Sequence, residues 1–176
     1  EVPRDVFFMK ERNATKMFLF RGICLLDCFS KWYVSCLVTL AKRQIPLPVF
    51  RKCCNVAYEV GHSVGDINLV LKTILRKSYD WRGTLQAVVG TGDVKSAFDC
   101  ASPRLLAGAL RARGLHAQLI SALLRELSGL IMRQSFEGFN FEDESFHIQW
   151  TRAIRQGGVE SAWAWNVIMQ YFMSLL

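Results

Sequence analysis

The sequence predicts a single α+β unit, and three observations predict it. Hydrophobic residues make up 51% of the 176-residue chain and aromatic residues 12%, enough to bury one core and too much for a disordered polymer. Apolar residues recur at helical spacing in some segments and in short β-favouring runs in others, without the strict strand-helix-strand rhythm of a parallel α/β sheet. No internal repeat, low-complexity tract or linker rich in Pro, Gly and Ser divides the chain.

The elements follow in order. VFFMKERNATKMFLFRGI sets two apolar runs around a polar KERNATK centre, the pattern of a hairpin with a basic tip. Asp27 is an N-cap for the helical segment CFSKWYVSCLVTLAKRQ, whose Lys42 and Arg43 stand at the negative end of the helix dipole. Pro46 and Pro48 stop that helix. YEVGHSVGD reads as a glycine-bearing loop, and INLVLKTILRKSYDW as a second helix with Ile67, Val70, Leu71, Ile74 and Leu75 on one face.

Leu85 to Val89 reads as a buried strand that leads to Asp93. Ser102 and Pro103 then open a helix lined by Leu105, Leu106, Ala109 and Leu110 and closed by Gly114. The next helix carries Leu119, Ile120, Leu123, Leu124 and Leu127 and ends at Gly129. IMRQSF and SFHIQW read as strands joined by EGFNFEDE, whose Glu142, Asp143 and Glu144 fit a solvated loop better than a metal cluster. RAIRQGG leads into a last helix, VESAWAWNVIMQYFMSLL.

An excess of 22 Lys+Arg over 15 Asp+Glu gives a formal charge of +7, which suits nucleic acid or an anionic membrane surface as partner. The six cysteines lack C-x-x-C spacing and neighbouring histidines, so reduced thiols are expected rather than zinc. No signal peptide is visible, and runs such as WYVSCLVTLA are shorter than the roughly 20 residues that span a bilayer. An intracellular protein, in nucleus or cytoplasm, is expected, and Glu1 in place of Met suggests an excised piece.

Three stretches carry chemistry: FMKERNATKMFLFRGICLL, VVGTGDVKSAFD and RAIRQGGVESAWAWN. Their order and residue types resemble the reverse transcriptase family, above all the polymerases of non-LTR retrotransposons and group II introns. The blocks of that family read as a Lys, then Arg-Pro-Ile-Ser-Leu-Leu, then Asp-x-x-x-Ala-Phe-Asp, then Gly-x-x-Gln-Gly-x-x-x-Ser-Pro. The resemblance runs from about Met9 to the last residue, with VGHSVGD where the family has Gly-Phe-Arg-x-Gly. It implies right-hand polymerase fingers over about 1–84 and a partial palm over about 85–176, one incomplete domain. It also implies an RNA-directed DNA polymerase activity, with RNA template, DNA primer and deoxynucleoside triphosphates as partners and two Mg²⁺ ions in the complete enzyme.

Residue by residue, Asp93 matches the first palm aspartate, a metal ligand whose buried charge a cation would offset, with the main-chain carbonyl of Val94 beside it. Asp93 read without the family is a partly exposed carboxylate capping the next turn. Phe98 matches the residue that lies under the incoming sugar and excludes a 2′-OH; core packing is its other reading. Lys10 and Arg21 match the cations that grip the triphosphate, Lys as a point charge and Arg as a planar fork. Gln156 and Gly157 match the block that approaches the nascent base pair, or else form an ordinary Gly-Gly turn opening a helix. Asp99 fits a structural or capping role, and Ser161 and Asn166 fit the family's downstream helix.

Gly22 stands at the family's Pro position, and Gly158-Val159-Glu160 and Ala162 replace residues that are usually Asp-Pro-Leu and Pro. The chain stops before any apolar-x-Asp-Asp hairpin, so the resemblance implies a fragment that does not polymerise by itself and keeps a salt-sensitive nucleic-acid affinity. The alternative is a non-catalytic nucleic-acid-binding module on the same scaffold, in which Asp93 sees no metal. A basic amphipathic protein at a membrane surface, using Lys42, Arg43, Arg51 and Lys52, would account for the charge but for none of the three blocks.

Overall fold

The two N-terminal apolar runs pair with each other as the hairpin pattern predicts. A computed structural model describes residues 4–9, 20–45, 61–81, 88–128, 130–136, 139–140, 147–150 and 154–175. Strand β1 (Arg4–Met9) lies antiparallel to β2 (Phe20–Leu25), in register from Arg4 opposite Leu25 to Met9 opposite Phe20. The basic tip falls outside the described residues.

Strands β3 (Leu130–Phe136), β4 (Phe139–Asn140) and β5 (His147–Trp150) extend the same sheet. β3 runs parallel to β1, Arg4 opposite Arg133 to Phe7 opposite Phe136, and antiparallel to both β4 and β5. Parallel neighbours need a long crossover. Here most of the helices supply it, so β1 and β3 tie the start of the chain to its later half.

The helices are α1 (Cys28–Gln44), α2 (Val64–Asp80), the single turn α3 (Ala97–Cys100), α4 (Pro103–Ala112), α5 (Ala117–Leu127) and α6 (Ser161–Met173). Four of them share one core: Val34, Leu37 and Val38 of α1 meet Leu106 and Leu110 of α4, Ile120 and Leu123 of α5, and Val167 and Ile168 of α6. Each such side chain contributes about 1.5–3 kcal/mol when taken from water. α1 packs on α5, and α4 on α5 and α6. With one mixed sheet and a separate helical core, the fold is α+β.

Helix ends sit where their caps put them. Asp27 holds the start of α1: its Oδ1 accepts from the Ser30 N–H at 2.8 Å and its Oδ2 from the Ser30 hydroxyl at 2.6 Å. These bonds favour the ionised carboxylate, and the Ser30 hydroxyl followed by the Ser30 N–H draws the Asp27 pKa below the ordinary 3.8. Ser102 Oγ accepts from Leu105 N–H at 3.2 Å, with Pro103 in the first turn of α4. At the other end Leu115 N–H donates to Leu110 O and Gly114 N–H to Arg111 O, the paired bonds of a Schellman motif around Gly114 at φ +78°.

Three expectations need correction. α2 starts at Val64 rather than Ile67, because the Asp66 carboxylate accepts from Ser63 N–H at 2.8 Å and Asp66 N–H donates back to Ser63 O. α6 starts at Ser161, two residues later than expected, since Val159 and Glu160 belong to a turn. Of the expected strand Leu85 to Val89, residues 85–87 lie outside the described residues, while residues 88–94 form no strand, are exposed and have no described strand beside them. Gly129, the acids at 142–144, Arg51, Lys52, Cys53 and Cys54 lie outside the described residues.

Among the described residues Cys28, Cys36 and Cys100 are free, exposed thiols. No described helix is long and apolar enough to cross a membrane. The amphipathic face of α2 forms as predicted, and none of the helix's residues is buried.

Candidate functional site

Two main-chain hydrogen bonds draw the three sequence blocks together. Cys24 N–H, at the end of β2, donates to Gln156 O at 2.6 Å, and Ile154 N–H donates to Phe98 O at 2.9 Å. The segment 154–157 therefore lies between the Arg21 strand and the turn of helix that carries Phe98. Arg21 sits in β2 opposite Phe8, and Phe20 pairs with Met9, the residue before Lys10. Lys10 itself lies outside the described residues.

Gly157 makes this approach possible. Its φ is +98°, and a Cβ there would stand 2.6 Å from Cys24 O and 3.0 Å from Ile23 Cγ2. Only glycine satisfies both demands. The sequence expectation was a glycine that lets the backbone approach a nucleotide; the close neighbour found here is the backbone of β2. Gly158 is also confined, since a Cβ would meet the Glu160 carboxylate at 2.5 and 2.7 Å and Ser161 Oγ at 2.7 Å.

Under the turn lies an ion pair that sequence reasoning missed. Arg155 and Glu160 are each only 1% exposed, and Glu160 Oε1 accepts from Arg155 Nη2 at 2.7 Å and from Nε at 3.1 Å. The Ser161 hydroxyl donates to Arg155 O, and Ser161 N–H to Gly158 O at 3.3 Å. Glu160 thus sits where the family pattern has Leu because Arg155 sits five residues before it. Opposite charges bracketing a Gly-Gly turn at the head of an apolar helix were the available signal. Paired in this way, Arg155 is not a phosphate-binding cation, and Gln156 beside it is half-buried.

Phe98 is half-buried against the core, its ring centroid 6.0 Å from that of Trp165 at an interplanar angle of 47°. Its packing reading is therefore realised on at least one side of the ring. Asp93 and Val94 are exposed, on the irregular stretch before α3. The chain turns there through Ser96, at φ +51° the sole described non-glycine residue with positive φ, and Cys100 N–H donates to Ser96 O at 3.0 Å. Asp99 is exposed in the first turn of α3.

Exposure changes the electrostatic problem posed by Asp93. A solvated carboxylate bears no desolvation cost that a cation must offset, so its pairing with metal would rest on ligand chemistry alone. Magnesium takes oxygen ligands, keeps several waters and binds through one or two carboxylates with substrate phosphates. Asp93 with the adjoining Val94 carbonyl fits one hydrated ion by donor type. Among the described residues no group of three or more His, Cys, Asp or Glu side chains comes together. No family model matches the chain, and no curated protein matches it.

Proposed function

We propose that the chain is the fingers and partial palm of a right-hand RNA-directed DNA polymerase of the retrotransposon type, acting on RNA template, DNA primer and deoxynucleoside triphosphates. One observation carries the reading: the three blocks that resemble that family, far apart in the sequence, converge on residues 154–157 through the Cys24 to Gln156 and Ile154 to Phe98 hydrogen bonds. A chance likeness of three short stretches gives no reason for them to be neighbours. The +7 charge suits a polyanionic template and primer.

In this reading Lys10 and Arg21 bind the triphosphate, Gln156 offers donor and acceptor to the base pair, and Phe98 bounds the space for the sugar. Asp93 and the Val94 carbonyl would hold Mg²⁺, which would polarise phosphate oxygens and lower the pKa of the attacking hydroxyl. Gly157 keeps the Gln156 turn fastened to the strand that bears Arg21.

The test is binding of a labelled RNA–DNA primer-template by the whole chain, with Mn²⁺ in place of Mg²⁺ followed by electron paramagnetic resonance. Affinity is expected to fall at least about tenfold between 50 and 200 mM salt, and Asp93→Asn is expected to abolish the nucleotide-dependent uptake of manganese. Salt-insensitive or absent binding overturns the reading. Salt-sensitive binding with manganese uptake unchanged in Asp93→Asn would instead mark a non-catalytic nucleic-acid-binding module.

A further inference from the structure

Two helical faces in this chain are apolar and open. α1 buries Val34, Leu37, Val38 and Ala41, yet its opposite side also carries a stripe at helical spacing: Phe29, Trp32, Tyr33, Cys36 and Leu40. Phe29 is 84% exposed and Trp32 69%. The three aromatic side chains alone leave on the order of 400 Å² in water, more than scattered surface residues account for. α2 presents Ile67, Val70, Ile74 and Leu75, each about half exposed, and buries no residue. A 17-residue helix of this kind is marginal in water without a packed face.

We propose that the outer face of α1 binds α2 of a second copy of this chain, reciprocally, so that each copy gives one face and receives the other. Among the described residues no element of the same chain covers either face, and a second copy carries both. The charges agree with antiparallel docking. α1 has no acidic residue and ends in Lys42 and Arg43, while α2 opens with the exposed Asp66 and closes with Asp80, with Lys72, Arg76 and Lys77 between them, so it is the helix ends that complement each other. Antiparallel alignment brings Arg43 and Asp66 to the same flank and sets the negative end of one helix dipole beside the positive end of the other. One such contact falls short of a stable interface, whereas two related by a twofold axis reach the roughly 1,200–2,000 Å² of a standard dimer.

Sedimentation of the whole chain over a range of micromolar concentrations tests this. The wild type is expected to shift from monomer to dimer. Trp32→Asp and Ile74→Asp each remain monomeric, with the helical circular dichroism of the wild type because both side chains are exposed. Arg43→Glu weakens the dimer, since it sets a carboxylate beside Asp66 of the second copy. A wild type that stays monomeric, as closure of α2 on α1 within one chain would give, overturns the proposal; so does a dimer that survives either Asp substitution.

Discussion

Cys24 and Gln156 are joined main chain to main chain: the Cys24 N–H donates to the Gln156 carbonyl at 2.6 Å, with Gly157 packed directly against the Cys24 carbonyl. The bond fastens the last turn before α6 to the end of β2. Because it uses backbone atoms, side-chain changes at either residue leave it in place. What it cannot tolerate is bulk at position 157.

Gly157→Ala is therefore expected to cost about 2–4 kcal/mol, from positive-φ strain plus overlap with a backbone oxygen that cannot swing aside. Gly114 is the control: its φ is +78° but a Cβ there meets nothing within 4 Å, so Gly114→Ala should cost only about 1 kcal/mol. Urea unfolding midpoints measure both, and equal costs would refute the close approach of 157 to β2.

Arg155 and Glu160 act as a unit. Glu160→Leu strands a buried guanidinium and Arg155→Met a buried carboxylate, so each single change should destabilise by about 3–5 kcal/mol. Arg155→Met with Glu160→Leu should recover most of that loss, since an apolar pair of similar size avoids desolvating two charges. A double-mutant cycle by chemical denaturation decides it, and additive single costs would show that the two residues do not depend on each other.

Gln170 of α6 is fully buried, and neither its Nε2 nor its Oε1 has a hydrogen-bond partner among the described residues. An unpaired buried amide costs about 1–3 kcal/mol. Gln170→Met, which keeps length and removes both polar atoms, is expected to raise the thermal midpoint by a few degrees. A fall in that midpoint would mean that the amide has a partner in solution.

What could be read from the sequence was what is local in it. Asp27, Ser102 with Pro103, and Gly114 mark helix ends because a cap involves residues within one turn of each other, and α1 and α4 begin where those residues stand. The β1–β2 hairpin was legible for the same reason. The parallel pairing of β1 with β3 was not, since no local residue type encodes which distant strand will lie alongside. Leu85 to Val89 looked like a strand because its composition favours one; composition cannot supply the neighbour that residues 88–94 lack in the described structure. Likewise Glu160 looked like a departure from a motif until Arg155 was found beneath the same turn.

The cap of α1 carries a pH dependence. Hydrogen bonds from Ser30 hold the Asp27 pKa below 3.8, so its contribution to stability is fully present above that unfolded-state value and is lost as pH falls through the lower folded-state value. The gap in urea midpoint between wild type and Asp27→Ala should accordingly be constant from pH 7 down to about 5 and narrow below about 4. A gap that widens on acidification would contradict the sign.

Asp93 separates the functional reading from the structural one, because its exposure disconnects it from the fold. Asp93→Asn removes a charge from a solvated stretch and should change stability by no more than about 0.5 kcal/mol. The same substitution should remove manganese uptake in the presence of nucleotide, since an amide oxygen is a far weaker ligand for a hard cation than a carboxylate. Denaturation and metal titration on one pair of proteins give both quantities. Loss of metal binding at unchanged stability identifies a ligand; a stability loss of several kcal/mol would show that Asp93 is held by the fold after all, and that its exposed position is not the one it keeps in solution.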